Sequence, residues 1–244
     1  MHLKSITFYP DKYPTKKYYP FNLEIFRQTG KIELTTPVTF FIGENGTGKS
    51  TLLQAMTQKC GVHIWQETDR PRFENNPYER LLHKTIEVEW RNGSVPGSFF
   101  ASQIFQSFSR ILDEWAIADP RFLKRFGGKS LMTQSHGQSL MSYFKNRYKI
   151  KGIYFLDEPE TALSPAIQLE LLNLITEMGN AGHAQFVIAT HSPILLACPV
   201  AHIYSFNDVP IRVVDYEDTE YYTFYREFMS DYKKFISDIK ERET

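Results

Sequence analysis

The chain has 244 residues and balances 28 basic against 28 acidic side chains, so its overall charge lacks the broad footprint of a nucleic-acid binder, although a local basic patch stays open. Its two cysteines, Cys60 and Cys198, lie far apart and outside any CxxC or Cys/His cluster, which argues against a disulfide framework and against zinc. No apolar run reaches the roughly 20 residues of a membrane span, and Lys4, Asp11, Lys12, Lys16 and Lys17 deny the N-terminus the apolar core of a signal peptide, so a cytoplasmic location is expected.

Leu3, Ile6 and Phe8 alternate as a strand does, and Ile32-Glu33-Leu34-Thr35 leads toward the apolar run Val38-Thr39-Phe40-Phe41-Ile42. That run passes directly into Gly43, Glu44, Asn45, Gly46, Thr47, Gly48, Lys49 and Ser50, and then into Thr51-Leu52-Leu53-Gln54-Ala55-Met56. Strand, glycine-rich loop and helix start in this order are the setting of a P-loop. The glycines let successive backbone N–H groups turn inward around a phosphate, and the helix N-terminus adds its positive end. The span from Gly43 to Thr51 is therefore the expected nucleotide-binding set. Lys49 meets the β- and γ-phosphates, and Ser50 offers its hydroxyl to Mg²⁺, which prefers hard oxygen ligands. In the loop before it, Tyr13, Tyr18 and Tyr19 either pack against the domain or stack on an adenine.

The pattern changes after Cys60, and roughly 61–145 reads as an inserted lobe within a single domain spanning 1–244. A Pro/Asn/Arg-rich loop precedes the alternating strand Ile86-Glu87-Val88-Glu89-Trp90 and a turn at Asn92-Gly93. Ile104, Phe105, Phe108, Ile111, Leu112 and Trp115 then mark one face of a helix closed by Asp119-Pro120. Gln103, just after Ser98-Phe99-Phe100-Ala101, is either a surface glutamine or a contact to Mg²⁺ or water. Gln134-Ser135-His136-Gly137-Gln138-Ser139 is either a helix cap or a second anion site.

Gly152-Ile153-Tyr154-Phe155-Leu156 is a strand buried on both faces, as in a parallel sheet, and Asp157 and Glu158 stand at its carboxyl end, where such sheets bind ligands. Asp157 can hold the Mg²⁺ shell, and Glu158 can polarise an attacking water. A helical stretch from Ala166 to Met178 crosses back to the strand Gln185–Thr190, which ends at His191-Ser192-Pro193. His191 is either structural or a γ-phosphate sensor. A hairpin follows through Tyr204-Ser205-Phe206 and Ile211–Val214. Tyr221, Tyr225, Phe228, Tyr232, Phe235 and Ile239 then repeat at helical spacing, an amphipathic helix that is expected to dock on the domain body or else binds a partner.

GENGTGKS, QSHGQS, YFLDEPETALS and ATHSP, in this order, resemble ABC-type ATPases, and among them the compact single-domain bacterial proteins described as AAA-family ATPases. The resemblance implies an α/β fold with a largely parallel central sheet, an antiparallel β portion and a small helical lobe. It implies that Glu158 and His191 are catalytic, and that Ser135, Gly137 and Gln138 form the signature contacting ATP held by a second subunit. It further implies that Ala162-Leu163-Ser164 is the D-loop and that Gln103 joins Ser50 and Asp157 around the metal. His136 and Ser164 depart from the glycine and aspartate usual in transporters. The activity so implied is Mg²⁺-dependent ATP hydrolysis in an ATP-driven head-to-tail homodimer. Two other classes stay open: a slow ATP-gated module for a protein effector in defence or nucleic-acid repair, and the energising subunit of a membrane transporter.

Overall fold

Nine strands fall into two sheets in the computed structural model, which describes residues 1–64, 76–102 and 136–236. The antiparallel sheet sets β1 (Leu3–Phe8) between β2 (Lys31–Glu33) and β4 (Ile86–Trp90). The strand periodicity read at Leu3–Phe8 and Ile86–Trp90 has this cause: Leu3, Ile6, Phe8 and Ile86 turn to the core, while Glu87 and Glu89 face outward.

The central sheet holds β3 (Val38–Ile42), β5 (Gly97–Ala101), β6 (Gly152–Asp157), β7 (Ala184–Ala189), β8 (Ala201–Ser205) and β9 (Arg212–Val214). Its order is β5-β6-β7-β3-β8-β9, parallel except for the last pair. Every residue of β3 and β7 is buried, which is why both read as nearly continuous apolar runs, interrupted only by Thr39 and Gln185, rather than as alternating ones. The hairpin expected after Tyr204 is the antiparallel pair β8–β9.

Helices cover both faces. On one, α3 (His136–Arg147), α4 (Pro165–Asn180) and α5 (Pro193–Leu196) bury Leu140, Phe144, Leu171, Ile175 and Leu195 against Phe40, Leu156 and Ile188. On the other, α1 (Glu24–Gln28), α2 (Lys49–Lys59) and the antiparallel sheet close over Phe41, Phe155 and Val187. A polar staple joins the sheets where apolar packing alone would leave amides bare. The buried Gln185 side chain accepts from His2 N at 2.6 Å and Leu3 N at 2.8 Å, and donates to Leu3 O at 2.9 Å.

Within the span expected as an inserted lobe, β4 and β5 enter the two sheets and α3 packs on α4. The apolar stripe at Ile104–Trp115 lies outside the described residues. The carboxyl-terminal helix α6 (Glu220–Ser230) has the expected amphipathic sequence but not the expected docking. It buries none of its residues, and Phe224, Tyr225 and Met229 are exposed. Only its first turn, through Tyr221, packs against the core.

Candidate active site

Five parallel strands end on one edge, and the polar residues that end them meet there. Ile42 leads into the P-loop at β3, Asp157 closes β6 beside Ala189 of β7, and Ala101 of β5 pairs with Asp157 on the other side. The loop's glycines are needed where the chain turns left-handed. Gly48 has φ +101° and lies so close to α1 that a Cβ there would sit 2.7 Å from Phe26 Cζ. Gly43 has φ +142° and is pressed against Asn207, whose Oδ1 would be 2.9 Å from a Cβ.

Lys49 is only 4% exposed. Its Nζ folds back into the loop, donating to Gly43 O at 2.7 Å and Glu44 O at 2.9 Å. Burial draws its pKa down, opposed by the negative charges of Glu158, Asp157 and Glu160. These two carbonyls hold the ammonium in place, and an anion entering the loop competes for it directly.

Ser50 donates its hydroxyl to Asp157 Oδ1 at 2.8 Å. Burial pushes the Asp157 carboxyl up to about 6, a shift that the Ser50 hydrogen bond resists, the Glu158 charge adds to and the Lys49 charge counters. Two hard oxygens side by side, one on a desolvated carboxylate, suit Mg²⁺, which takes one or two protein ligands and completes its shell with water and phosphate oxygens. Among the described residues no group of three or more His, Cys, Asp or Glu side chains gathers for a metal.

Glu158 is the one non-glycine residue with positive φ among the described residues, at +45°. Such backbone costs about 1 kcal/mol or more and persists where neighbours impose it. Here three groups do: Glu158 N donates to Ala189 O at 2.9 Å, and its carbonyl accepts from Ser102 Oγ at 2.9 Å and Thr161 Oγ1 at 3.0 Å. The turn brings Glu158 Oε1 within 3.3 Å of His191 Nε2. Burial first, then the Lys49 charge, lowers the His191 pKa, while Glu158 raises it. Glu160 fixes the backbone of this histidine, its Oε1 accepting from His191 N at 2.6 Å. A cavity of about 530 Å³ opens at this point, lined by Glu44, Asn45, Glu158, His191 and Tyr221.

A family model described as "AAA domain" matches residues 21–88, which include the whole P-loop, and one described as "AAA domain, putative AbiEii toxin, Type IV TA system" matches residues 139–197, which include Asp157, Glu158 and His191. The "Probable siderophore transport system ATP-binding protein YusV" of Bacillus subtilis (strain 168) is 25% identical over 198 residues, 70% of this chain and 68% of its own length. The "Thiamine import ATP-binding protein ThiQ" of Haemophilus influenzae (strain ATCC 51907 / DSM 11121 / KW20 / Rd) is 25% identical over 166 residues, 62% of this chain and 74% of its own. The fold is also that of the ADP conformation of MJ1267, an ATP-binding cassette of an ABC transporter, at a TM-score of 0.51, 16% identity, 87% of this chain and 90% of that one. Together the two family matches and these relatives support an ABC-type P-loop ATPase of the AAA kind.

In this ATPase the residues expected around the nucleotide divide into two groups. Gly43 to Thr51, Asp157, Glu158 and His191 gather at one strand edge. Gly137 and Gln138 open α3, with Gln138 exposed and Gly137 under the Ile167 side chain, and neither lines the cavity. Ser135 and Gln103 lie outside the described residues. The three tyrosines also separate. Tyr13 packs on Phe21 and donates to Phe26 O at 2.7 Å, and Tyr18 stacks on Tyr78, whereas the Tyr19 hydroxyl meets Thr51 Oγ1 beside the P-loop.

Sequence reading gave no role at the nucleotide site to Asn207, Glu160 or Tyr221. Asn207 Oδ1 accepts from Glu44 N at 2.8 Å, and the Tyr221 hydroxyl reaches both Gly43 O and His191. Glu160 carried a signal, as a third carboxylate after Asp157-Glu158-Pro159. Tyr221 did not, since its place in an aromatic stripe looks the same as that of its exposed neighbours.

Proposed function

We propose that the ATPase holds Mg-ATP at this strand edge and hydrolyses it within a head-to-tail pair of identical chains. The P-loop amides of Gly43 to Thr51 cradle the phosphates, and Lys49 exchanges the carbonyls of Gly43 and Glu44 for the β- and γ-phosphates. Ser50 and Asp157 hold Mg²⁺, with Gln103 as the further contact. When bound, the ion neutralises phosphate charge and orients the γ-phosphoryl group. Glu158 takes the proton of the attacking water, and His191 contacts the γ-phosphate.

One observation carries this reading: Lys49, Ser50, Asp157, Glu158 and His191 converge on one edge, while Gly137 and Gln138 stand on another helix away from the cavity. Residues of the signature therefore reach a nucleotide from a second copy, so that Ser135, Gly137 and Gln138 of one chain close the site of the other. A twofold pair makes two equivalent sites and needs no other protein. Binding energy present only in the pair makes ATP drive its formation.

Light scattering on Glu158→Gln tests it, because ATP persists there. The mass should double with saturating Mg-ATP and return to that of one chain on dilution without nucleotide. Ser135→Arg should keep nucleotide binding by the single chain and lose both pairing and turnover. A Glu158→Gln mass that stays monomeric across a wide concentration range in Mg-ATP would sink the shared site.

The transport systems for which the two relatives are named favour a second reading, the energising subunit of a membrane importer. No described helix is long and apolar enough to cross a membrane, so that role requires a membrane-spanning partner. A cytoplasmic setting and a protein effector belong to the same proposal. Recovery of a membrane-spanning protein with tagged, ATP-trapped Glu158→Gln would decide for the importer; recovery of a non-membrane effector would decide for the gated module.

A further inference from the structure

Tyr221 touches two parts of the site at once. Its hydroxyl lies 2.9 Å from Gly43 O and 2.6 Å from His191 Nδ1, and its ring meets the imidazole edge-on at 5.4 Å. The hydroxyl has one hydrogen, and a carbonyl oxygen cannot donate. The hydrogen therefore goes to Gly43 O, and the bond to His191 forms only if Nδ1 carries a hydrogen and the tyrosine oxygen accepts it. Gly43 O has two lone pairs and accepts from Lys49 Nζ as well, so Tyr221 keeps its acceptor when Lys49 turns to a phosphate.

We infer that Tyr221 is a positioning residue that fixes His191 as the Nδ1–H tautomer and so leaves Nε2 as a bare acceptor beside Glu158. This rests on the proposed roles of Glu158 and His191 at the γ-phosphate and adds what sets the hydrogen-bonding sense of His191. The rest of the geometry agrees. Nε2 stands 3.3 Å from Glu158 Oε1 without the alignment of a hydrogen bond, and it is buried without a partner. Two acceptors face each other there, an arrangement that is unfavourable until a hydrogen comes between them. Water supplies one when its two hydrogens turn to Glu158 and His191, which holds its lone pair free for attack. Neutral His191 in this tautomer meets the γ-phosphate through that water, and donates to a phosphate oxygen directly only once Nε2 takes up a proton. The opposite tautomer would donate from Nε2 to Glu158 and occupy both groups with each other.

The device also ties α6 to the nucleotide loop. Asn207 holds Glu44 N and donates to Glu220 Oε2 at 3.1 Å, next to Tyr221 in sequence. The first turn of α6 thus reaches Gly43 through Tyr221 and Glu44 through Asn207, and this is the part of that helix that packs on the core.

The test is ¹⁵N NMR of histidine-labelled wild type and Tyr221→Phe with steady-state kinetics on both. His191→Gln identifies the His191 signals among the seven histidines. Wild type should show protonated Nδ1 and unprotonated Nε2 at neutral pH. Tyr221→Phe keeps the ring contact and removes only the hydroxyl, so it should shift His191 toward the Nε2–H form. Its kcat should fall roughly tenfold, the scale of one lost hydrogen bond, with KM for ATP changed by less than about twofold. A wild-type Nε2–H tautomer, or an unchanged Nδ1–H tautomer in Tyr221→Phe, would overturn the role of Tyr221 even if the variant were less active. A shifted tautomer with wild-type kcat would overturn its bearing on turnover. His191→Ala separates the two claims: wild-type turnover there removes the reading of His191 itself and the catalytic half of this inference, whereas the tautomer measured in wild type stands or falls alone.

Discussion

At the carboxyl edge of β3 and β6, each polar side chain is held from a second direction: Lys49 by two carbonyls, Ser50 by Asp157, His191 by Glu160 and Tyr221, and Glu158 by a backbone turn that Ser102 and Thr161 lock. At the start of α3, Gln138 is exposed and Gly137 lies under Ile167. The first region rests on the core beneath it, and the second is a helix end. On the proposed reading the first binds the nucleotide and the second closes the site of a partner chain.

The widest separation between the regions should come from Glu158. Glu158→Gln keeps the size and the turn, so ATP affinity should stay within a few-fold of wild type while kcat falls by roughly two to four orders of magnitude, the worth of a general base. Lys49→Ala should do the reverse and lose ATP binding. Equilibrium binding alongside single-turnover rates measures both. Wild-type turnover in Glu158→Gln would move the base elsewhere and leave the strained backbone at that residue without a function.

Asp157 sharpens the comparison through pH. Its folded pKa, about 6, lies above the ordinary 3.8 because burial disfavours the charge. Between those values the folded chain binds more protons than the unfolded one, so stability falls as pH rises through the window, and the penalty is complete above about 6. In chelator, Asp157→Asn should therefore be more stable than wild type at pH 7.5, by up to about 3 kcal/mol or several degrees in Tm, with the gain gone near pH 4. Mg-ATP should reverse the order, since only wild type keeps the carboxylate. Equal melting temperatures at pH 7.5 in chelator would show that the carboxylate is better solvated than its burial implies.

Much of this was legible because certain residue types allow few alternatives. GENGTGKS after Val38–Ile42 and the buried run before Asp157 gave the strand edge, the parallel sheet and the converging side chains. Likewise, β1 and β4 were legible because only one face of their sheet is buried. Of the two readings of α6, docking on the domain body holds only at its first turn: an apolar stripe states that a helix has something to cover, and Phe224, Tyr225 and Met229 remain exposed. Tyr221 and Asn207 were invisible for a related reason. Their roles come from lying 178 and 163 residues from Gly43 and Glu44, and no local pattern marks a partner so distant. Ser102 lay next to the expected Gln103 and holds the Glu158 carbonyl, a role that needs only a hydroxyl at the end of β5.

The smallest effects separate two glycines, one in each region. Gly48 has φ +101°, and a Cβ there would meet Phe26 Cζ at 2.7 Å and Leu23 Cδ1 at 3.1 Å. Gly48→Ala thus combines left-handed backbone with a ring that must move, and should cost about 1–3 kcal/mol in stability and weaken ATP binding along with it. Gly137 stands in the first turn of α3, and its Cβ would come nearest to the Ile167 side chain, 2.5 Å from Cδ1. That atom is the far end of a flexible side chain, and alanine favours a helix by up to about 1 kcal/mol, so the two contributions offset. Gly137→Ala should leave monomer stability within about 1 kcal/mol of wild type and ATP binding unchanged, and show its effect only where a second chain is needed. Urea unfolding and nucleotide titration of the two variants side by side make the comparison. If Gly137→Ala weakened ATP binding by the single chain as much as Gly48→Ala does, the start of α3 would belong to its own chain's site, and the division into two regions would fail.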